Sequence, residues 1–175
     1  MDLFFLRHGP ALAREEWQGA DRDRPLTTEG VHVVHNVAAH LQALGINPAI
    51  MITSPCERAL RTAALVSDVL GDGLVPIEDE RLAPSRLDLV HLVEMLEPFA
   101  EASSVMLVGH DPSMSTVLGQ VVGGGRFVLR KAGIARVRLD ERSLRRGDRG
   151  RRRRSCELRL RSASGRQSGV PRPSA

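Results

Sequence analysis

Short apolar runs along the chain alternate with longer stretches in which apolar residues return every three or four positions. Residues 3–6 form an apolar run stopped by Arg7-His8-Gly9-Pro10, the pattern of a buried strand ended at a Gly-Pro turn. The same pattern recurs at residues 49–53 and 105–108, the latter closed by Gly109, and a shorter strand is predicted at 75–77. Between these runs the period becomes helical. Thr27 or Thr28 can cap a helix with Glu29 in its first turn, Val34, Val37, Leu41 and Leu44 on one face, and Gly45 at its end. Pro55 suits the first turn of a second helix, whose Ala59, Thr62, Ala63, Val66 and Leu70 share a face before Gly71. A third helix is predicted at 87–96 with Leu89, Leu92, Val93 and Leu96 inward, and a fourth at about 113–122. Residues 134–139 alternate as an edge strand does. Strands alternating with helices of this length predict a largely parallel sheet covered on both faces.

Composition divides the chain in two. Its 175 residues suit about one domain, and the overall net charge is +4. Residues 141–175 hold 12 of the 25 basic and 3 of the 21 acidic side chains, a net of +9, whereas residues 1–140 carry a net of −5. The high isoelectric point therefore belongs to the tail and is no sign of nucleic-acid binding by the body. Residues 145–154 are almost all Arg, Gly and Asp, and 162–175 are mainly Ser, Gly, Pro and Arg. Such a segment buries too little apolar surface to offset chain entropy, so a disordered tail is expected at 141–175. Aromatics make up 3% of the chain and Tyr is absent, which argues against base stacking. Cys56 and Cys156 fall one in each part and suggest no disulfide framework. The apolar start is too short for a signal peptide, and no run reaches the ~18 apolar residues that cross a bilayer. A cytoplasmic monomer without membrane contact is expected.

The chemistry-bearing residues gather where strands end and helices begin, which is where open α/β sheets place ligands. Arg7-His8-Gly9 follows the first strand, Ser54-Pro55-Cys56-Glu57-Arg58-Ala59 the second, and Gly109-His110-Asp111-Pro112 the strand at 105–108. Arg24-Pro25-Leu26-Thr27 stands just ahead of the first helix. In a parallel sheet the first three converge at one edge, bringing two guanidiniums, two imidazoles and helix N-termini together. That combination suits a phosphoryl group. Arginine offers a fork of donors to its oxygens, a neutral imidazole attacks phosphorus, and a second, protonated imidazole can neutralise an oxygen. No carboxylate cluster accompanies them, so no metal and no cofactor are expected.

These motifs, in this order and at these intervals, together with Thr62-Ala63, resemble the histidine phosphatase superfamily and its phosphoglycerate-mutase-like fold. The short length, Arg-Pro-Leu-Thr and the Lys131-x-Gly133-Ile134-Ala135 stretch most resemble the SixA-type phosphohistidine phosphatases, over roughly residues 1–140. The resemblance implies a three-layer α/β/α sandwich around a mostly parallel sheet, without large lid insertions. It implies that His8 is the nucleophile, that Arg7, Arg58 and His110 form the phosphate pocket, and that Arg24 lines its rim. Three positions depart from the family pattern. Pro84 replaces an acid often found after Leu82-Ala83, Arg61 replaces a usual Gln, and the family's closing segment is missing or scrambled in the tail.

With room for only a loop between Gly9 and Thr27, and for one helix between Leu82 and Ser103, the pocket is expected to be open. A phosphohistidine carried by another protein fits such a pocket, and its labile N–P bond makes a missing acid less costly. The alternatives are a small phosphomonoester substrate or, from the Arg-rich tail, a non-enzymatic phospho- or RNA-binding protein. Elsewhere the plain readings prevail. His32, His35 and His40 read as a solvated helix face rather than metal ligands, and His91 as a surface residue. Cys56 reads as a small buried residue rather than a nucleophile. Asp21 and Asp111 are the acids nearest the motifs; helix capping or loop bonding is the expected role of each, with proton relay as the alternative.

Overall fold

A computed structural model describes residues 1–71 and 73–139, so the tail expected to be disordered lies outside the described residues. Five strands form one mixed sheet: β1 (Asp2–Arg7), β2 (Ile50–Thr53), β3 (Ile77–Glu78), β4 (Ser104–Gly109) and β5 (Ile134–Arg138), in the order β3-β2-β4-β1-β5. Strands β1 to β4 pair in parallel, and β5 closes the β1 edge antiparallel. Four α-helices lie among the described residues: α1 (Thr28–Ala43), α2 (Glu57–Leu70), α3 (Leu89–Leu96) and α4 (Ser113–Val121).

Side-chain alternation in the central strands makes two cores. Leu3 and Phe5 of β1 and Val105 and Leu107 of β4 face a core shared with α3 and α4. Phe4, Leu6, Met106 and Val108 face the other way, toward α1 and α2. The result is a three-layer α/β/α sandwich. Both central strands are buried on both faces, which is why they read as unbroken apolar runs.

Local details differ from the sequence expectations in instructive ways. The short edge strand is Ile77–Glu78 rather than 75–77, and Val75 is 75% exposed. Helix α2 starts after an N-cap at Cys56, so Pro55 precedes the helix instead of opening it. Helix α3 begins at Leu89, where the Asp88 side chain accepts from the His91 amide, and buries Leu92, Met95 and Leu96 while Leu89 and Val93 stay largely exposed. On α1 the inward set is Val34, Ala38 and Leu41, with Val37 at its margin and Leu44 exposed beyond the helix end. The capping expectation holds at Thr27, whose hydroxyl accepts from the Gly30 amide at 2.9 Å. A cavity of about 240 Å³ opens at the start of β2, lined by Asn47, Pro48, Leu74 and Val75 among others, away from the strand ends that carry the motifs.

Candidate active site

His8 sits where β1 gives way to the Gly9-Pro10 turn, and its backbone is fixed from both sides. Its amide donates to the Gly109 carbonyl of β4, and its carbonyl accepts from the Ala132 amide, each at 3.0 Å. The turn is tied to α2 because the Gly9 amide donates to Thr62 Oγ1 at 3.0 Å, and that hydroxyl donates to the Arg58 carbonyl at 2.7 Å. It also lies hard against α1: a Cβ on Gly30 would stand 1.9 Å from the Pro10 carbonyl oxygen. The His8 ring is aimed by its Nδ1, 2.7 Å from the Gly9 carbonyl oxygen. A carbonyl only accepts, so Nδ1 carries the proton and the neutral ring presents its lone pair on Nε2. Burial, with help from the charges of Arg58, Arg7 and Arg24, pushes the ring's pKa down to about 4 against the pull of the Gly9 carbonyl. His8 is therefore a neutral imidazole near pH 7.

His110 follows β4 and faces His8 with ring centroids 5.0 Å apart. Its Nε2 lies 2.8 Å from Ser54 Oγ, and that oxygen accepts from the Cys56 amide at 3.3 Å. Ser54 is a residue for which the sequence suggested no role. Burial, then the neighbouring His8, Arg58 and Arg7, push the His110 pKa down to about 3, with Asp21 opposing. On its own surroundings the His110 ring is thus neutral near pH 7. With cations on several sides and little water, this ring holds a proton only when an anion joins it.

Arg7 and Arg58 share one design. Each is tied to the protein at its terminal end, Arg7 through Nη1 and Arg58 through both Nη1 and Nη2. Arg7 Nη1 donates to the Leu129 carbonyl at 2.7 Å and lies 3.9 Å from Asp111 Oδ2. Arg58, 3% exposed, donates from Nη1 to the Asp21 carbonyl at 2.7 Å and from Nη2 to Asp21 Oδ2 at 3.0 Å. The Nε atoms of both remain without a partner, and among the described residues these are the buried side-chain nitrogens or oxygens in that condition. A buried donor left unmet costs free energy, so two of them beside one imidazole pair mark a place where an acceptor belongs.

Arg24, expected at the pocket rim, donates from Nε to Asp21 Oδ1 at 2.9 Å and from Nη1 to the Leu12 carbonyl, so it shares Asp21 with Arg58. It still acts on His8 through its charge. Asp111 accepts from the Ser115 hydroxyl, and that oxygen accepts from the Leu129 amide at 3.0 Å, which steadies the carbonyl holding Arg7. Cys56 is buried, and His32, His35 and His40 are exposed on α1. Pro84 is exposed and supplies no acid.

A mostly parallel α/β/α sandwich whose strand ends bring two imidazoles and two half-committed guanidiniums together is the arrangement of a phosphatase. The chain belongs to the histidine phosphatase superfamily. A sequence model described as histidine phosphatase superfamily (branch 1) matches residues 3–87. An uncharacterised protein of Picosynechococcus sp. is 37% identical over 145 residues, 79% of this chain and 85% of its own length. The solved structure of the protein histidine phosphatase SixA complexed with tungstate is 26% identical, covers 82% of this chain and 91% of its own, and superposes with a TM-score of 0.74. The alpha-ribazole phosphatase from Shigella flexneri shares the fold at 15% identity and a TM-score of 0.66, covering 80% of this chain and 91% of its own. Among the described residues no helix is long and apolar enough to cross a membrane.

Proposed function

We propose that the protein is a metal-independent phosphatase that works through a phosphohistidine on His8 and removes phosphoryl groups from phosphohistidine on other proteins. The observation that carries this reading is the pair of unpartnered Nε donors of Arg7 and Arg58, which leaves two guanidinium edges for oxyanion oxygens beside the His8 ring. The His8 Nε2 lone pair forms a bond to phosphorus as the bond to the substrate's imidazole nitrogen breaks. The departing nitrogen takes a proton from solvent. Water then attacks phosphorus, the bond to Nε2 breaks, and phosphate and the neutral His8 ring are regenerated. The Nδ1–H bond to the Gly9 carbonyl holds the ring in the required tautomer throughout and stabilises the positive charge it gains as phosphohistidine forms. Arg7 and Arg58 supply the positive charge that a metal supplies in other phosphatases.

The protein-borne substrate is supported by what borders the site. One helix, α3, and short 3-10 turns are all that lies between β3 and β4, and the segment between β1 and α1 holds two such turns. Similarity to SixA, a protein histidine phosphatase, points the same way. A small phosphomonoester is the second reading, favoured by the shared fold of alpha-ribazole phosphatase. A phosphorylated histidine carrier domain, assayed with EDTA beside a panel of small esters, tests reaction class and substrate together. The expected result is release of phosphate from the carrier, with an acid-labile, alkali-stable phosphoryl adduct on His8 in quenched enzyme. A folded His8→Ala variant with near-normal turnover overturns the assignment.

A further inference from the structure

The Arg58 side chain comes from α2 and is almost wholly buried, yet what holds it is a partly exposed carboxylate from a one-turn 3-10 helix, Asp21–Asp23. Asp21 grips it twice, through its main-chain oxygen at 2.7 Å and through Oδ2 at 3.0 Å. The second carboxylate oxygen, Oδ1, takes the Arg24 Nε at 2.9 Å, and Arg24 in turn reaches back to the Leu12 carbonyl. A chain of bonds thus runs from the loop main chain through Arg24 and Asp21 to Arg58. It ends at Arg58 Nε, which has no partner.

We propose that Asp21 is a positioning residue for phosphoryl transfer: it occupies the terminal nitrogens of Arg58 and so turns that guanidinium's Nε edge toward the phosphoryl group, with Arg24 fixing Asp21 from behind. The proposal rests on the reading of Arg58 as a phosphoryl ligand and adds how that ligand is set. A guanidinium has five N–H groups in a rigid plane, so fixing one edge fixes the direction of the other. Without Asp21 the side chain regains rotamers, and its donors turn toward any nearby carbonyl. Asp21 is poorly suited to the alternative role of proton donor, because two guanidiniums face it and hold its carboxyl below the ordinary range, against the opposing effect of burial.

The geometry gives Asp21 two opposed effects on an oxyanion. It aims a donor at the phosphoryl group, yet its own negative charge repels that group. Asp21→Asn removes the charge and spoils the aim while keeping the main-chain bond. Turnover should therefore fall on the order of 10²-fold, the scale set by misplacing a reacting group by about an ångström. Binding of inorganic phosphate should stay the same or tighten. A merely structural part would weaken both, and a proton donor would matter more for substrates with poor leaving groups.

The test compares Asp21→Asn with wild type on the phosphohistidine carrier and on p-nitrophenyl phosphate, together with phosphate inhibition and the NMR signals of the arginine Nε–H groups. Support is an equal loss of kcat on both substrates, unweakened phosphate binding, and an Arg58 Nε–H signal that broadens while that of Arg7 persists. Arg24→Ala should give a smaller loss that does not add to that of Asp21→Asn. Unchanged kcat, a loss confined to the poor leaving group, or an unmoved Arg58 signal overturns the proposal. Should wild type hydrolyse neither substrate, the functional reading fails, and the Arg58 signal still decides whether Asp21 orients that side chain.

Discussion

The two sides of the phosphoryl pocket hold similar arginines by different means. On the β1 side, Arg7 is anchored to the main-chain carbonyl of Leu129, in a segment locked to Ser115 and to the first strand. On the α2 side, Arg58 is anchored to Asp21, which the chain brings in from 37 residues away on a loop. The first anchor is a main-chain carbonyl that no single side-chain substitution can remove, with the Asp111 carboxylate farther off at 3.9 Å. The second adds to a main-chain bond an ion pair between the buried Arg58 and a partly exposed carboxylate, and that pair depends on one side chain. The difference teaches that the sheet end provides the fixed half of the site, while the adjustable half lies on the segment between β1 and α1. A family that varies this loop can retune Arg58 without disturbing His8.

The largest expected effects test whether the two halves are equal in chemistry despite unequal anchoring. Arg7→Ala and Arg58→Ala should each lower turnover on the order of 10²–10³-fold, as expected for losing one preorganised donor at the developing charge. Replacing either by lysine should recover little, because an ammonium cannot hold its anchor and present a second edge at once. Steady-state kinetics on folded variants decide this. If Arg58→Lys is nearly as active as wild type while Arg7→Lys is not, the α2 side contributes charge alone and the equivalence breaks.

The fixed half was also the more legible from the sequence. Residues 3–6 and 105–108 could be read as buried strands because they are apolar on both faces, and Arg7-His8-Gly9 and Gly109-His110 announce the points where they stop. The parallel pairing of β1, β2 and β4 then brings His8, Arg58 and His110 to one edge. Asp21 was noticed only for its closeness to a motif. Its grip on Arg58 is a long-range contact with no local signature, and the spacing of Asp21 and Arg24 reads equally well as an ordinary loop pair. On α3 the expected inward face holds at Leu92 and Leu96 and fails at Leu89 and Val93, for another reason. Leu89, Leu92, Val93 and Leu96 are all apolar, so helical periodicity leaves several faces equally good, and packing chose Leu92, Met95 and Leu96. Val75 shows the same limit: a β-branched residue that favours strands stands exposed ahead of the strand.

The imidazoles give the next largest effect and sharpen the comparison through pH. Burial and neighbouring arginines hold His8 down to about 4 and His110 down to about 3, against an ordinary 6.5. Between 6.5 and about 4 the unfolded chain therefore binds more protons at these positions than the folded one. Stability is present in full above that window and is lost as pH falls through it, by at most about 1.4 kcal/mol per pH unit for each ring. The carboxylates held low, Asp2, Asp21 and Asp79, lose their contribution only below their ordinary 3.8, so they leave this window to the histidines. Urea midpoints at pH 7, 5.5 and 4.5 should decline in wild type and decline less in His8→Ala. A bound phosphate monoanion, the form present in this window, should raise both rings, so calorimetry in buffers of different ionisation enthalpy should show proton uptake on binding near its lower end.

The smallest effects ask how rigid the fixed half is. Gly30 and Gly109 both flank it, and neither has space for a methyl group, but the obstacles differ. A Cβ at Gly30 meets the Pro10 carbonyl oxygen at 1.9 Å, main chain belonging to the turn that follows His8. A Cβ at Gly109 meets Met114 Sδ at 3.0 Å, and a thioether can swing aside, with the Leu82 carbonyl farther off at 3.4 Å. Gly30→Ala should therefore cost about 1–3 kcal/mol, the range for forcing atoms into a filled interior, and should lower turnover because it pushes the His8 turn away from α1. Gly109→Ala should cost less than that and leave kcat within a few fold, since β4 need not move. Chemical denaturation and kcat on the two variants separate these cases. Equal losses would mean that β4 gives way as readily as the His8 turn does, and that the sheet end is held less firmly than its main-chain bonds imply.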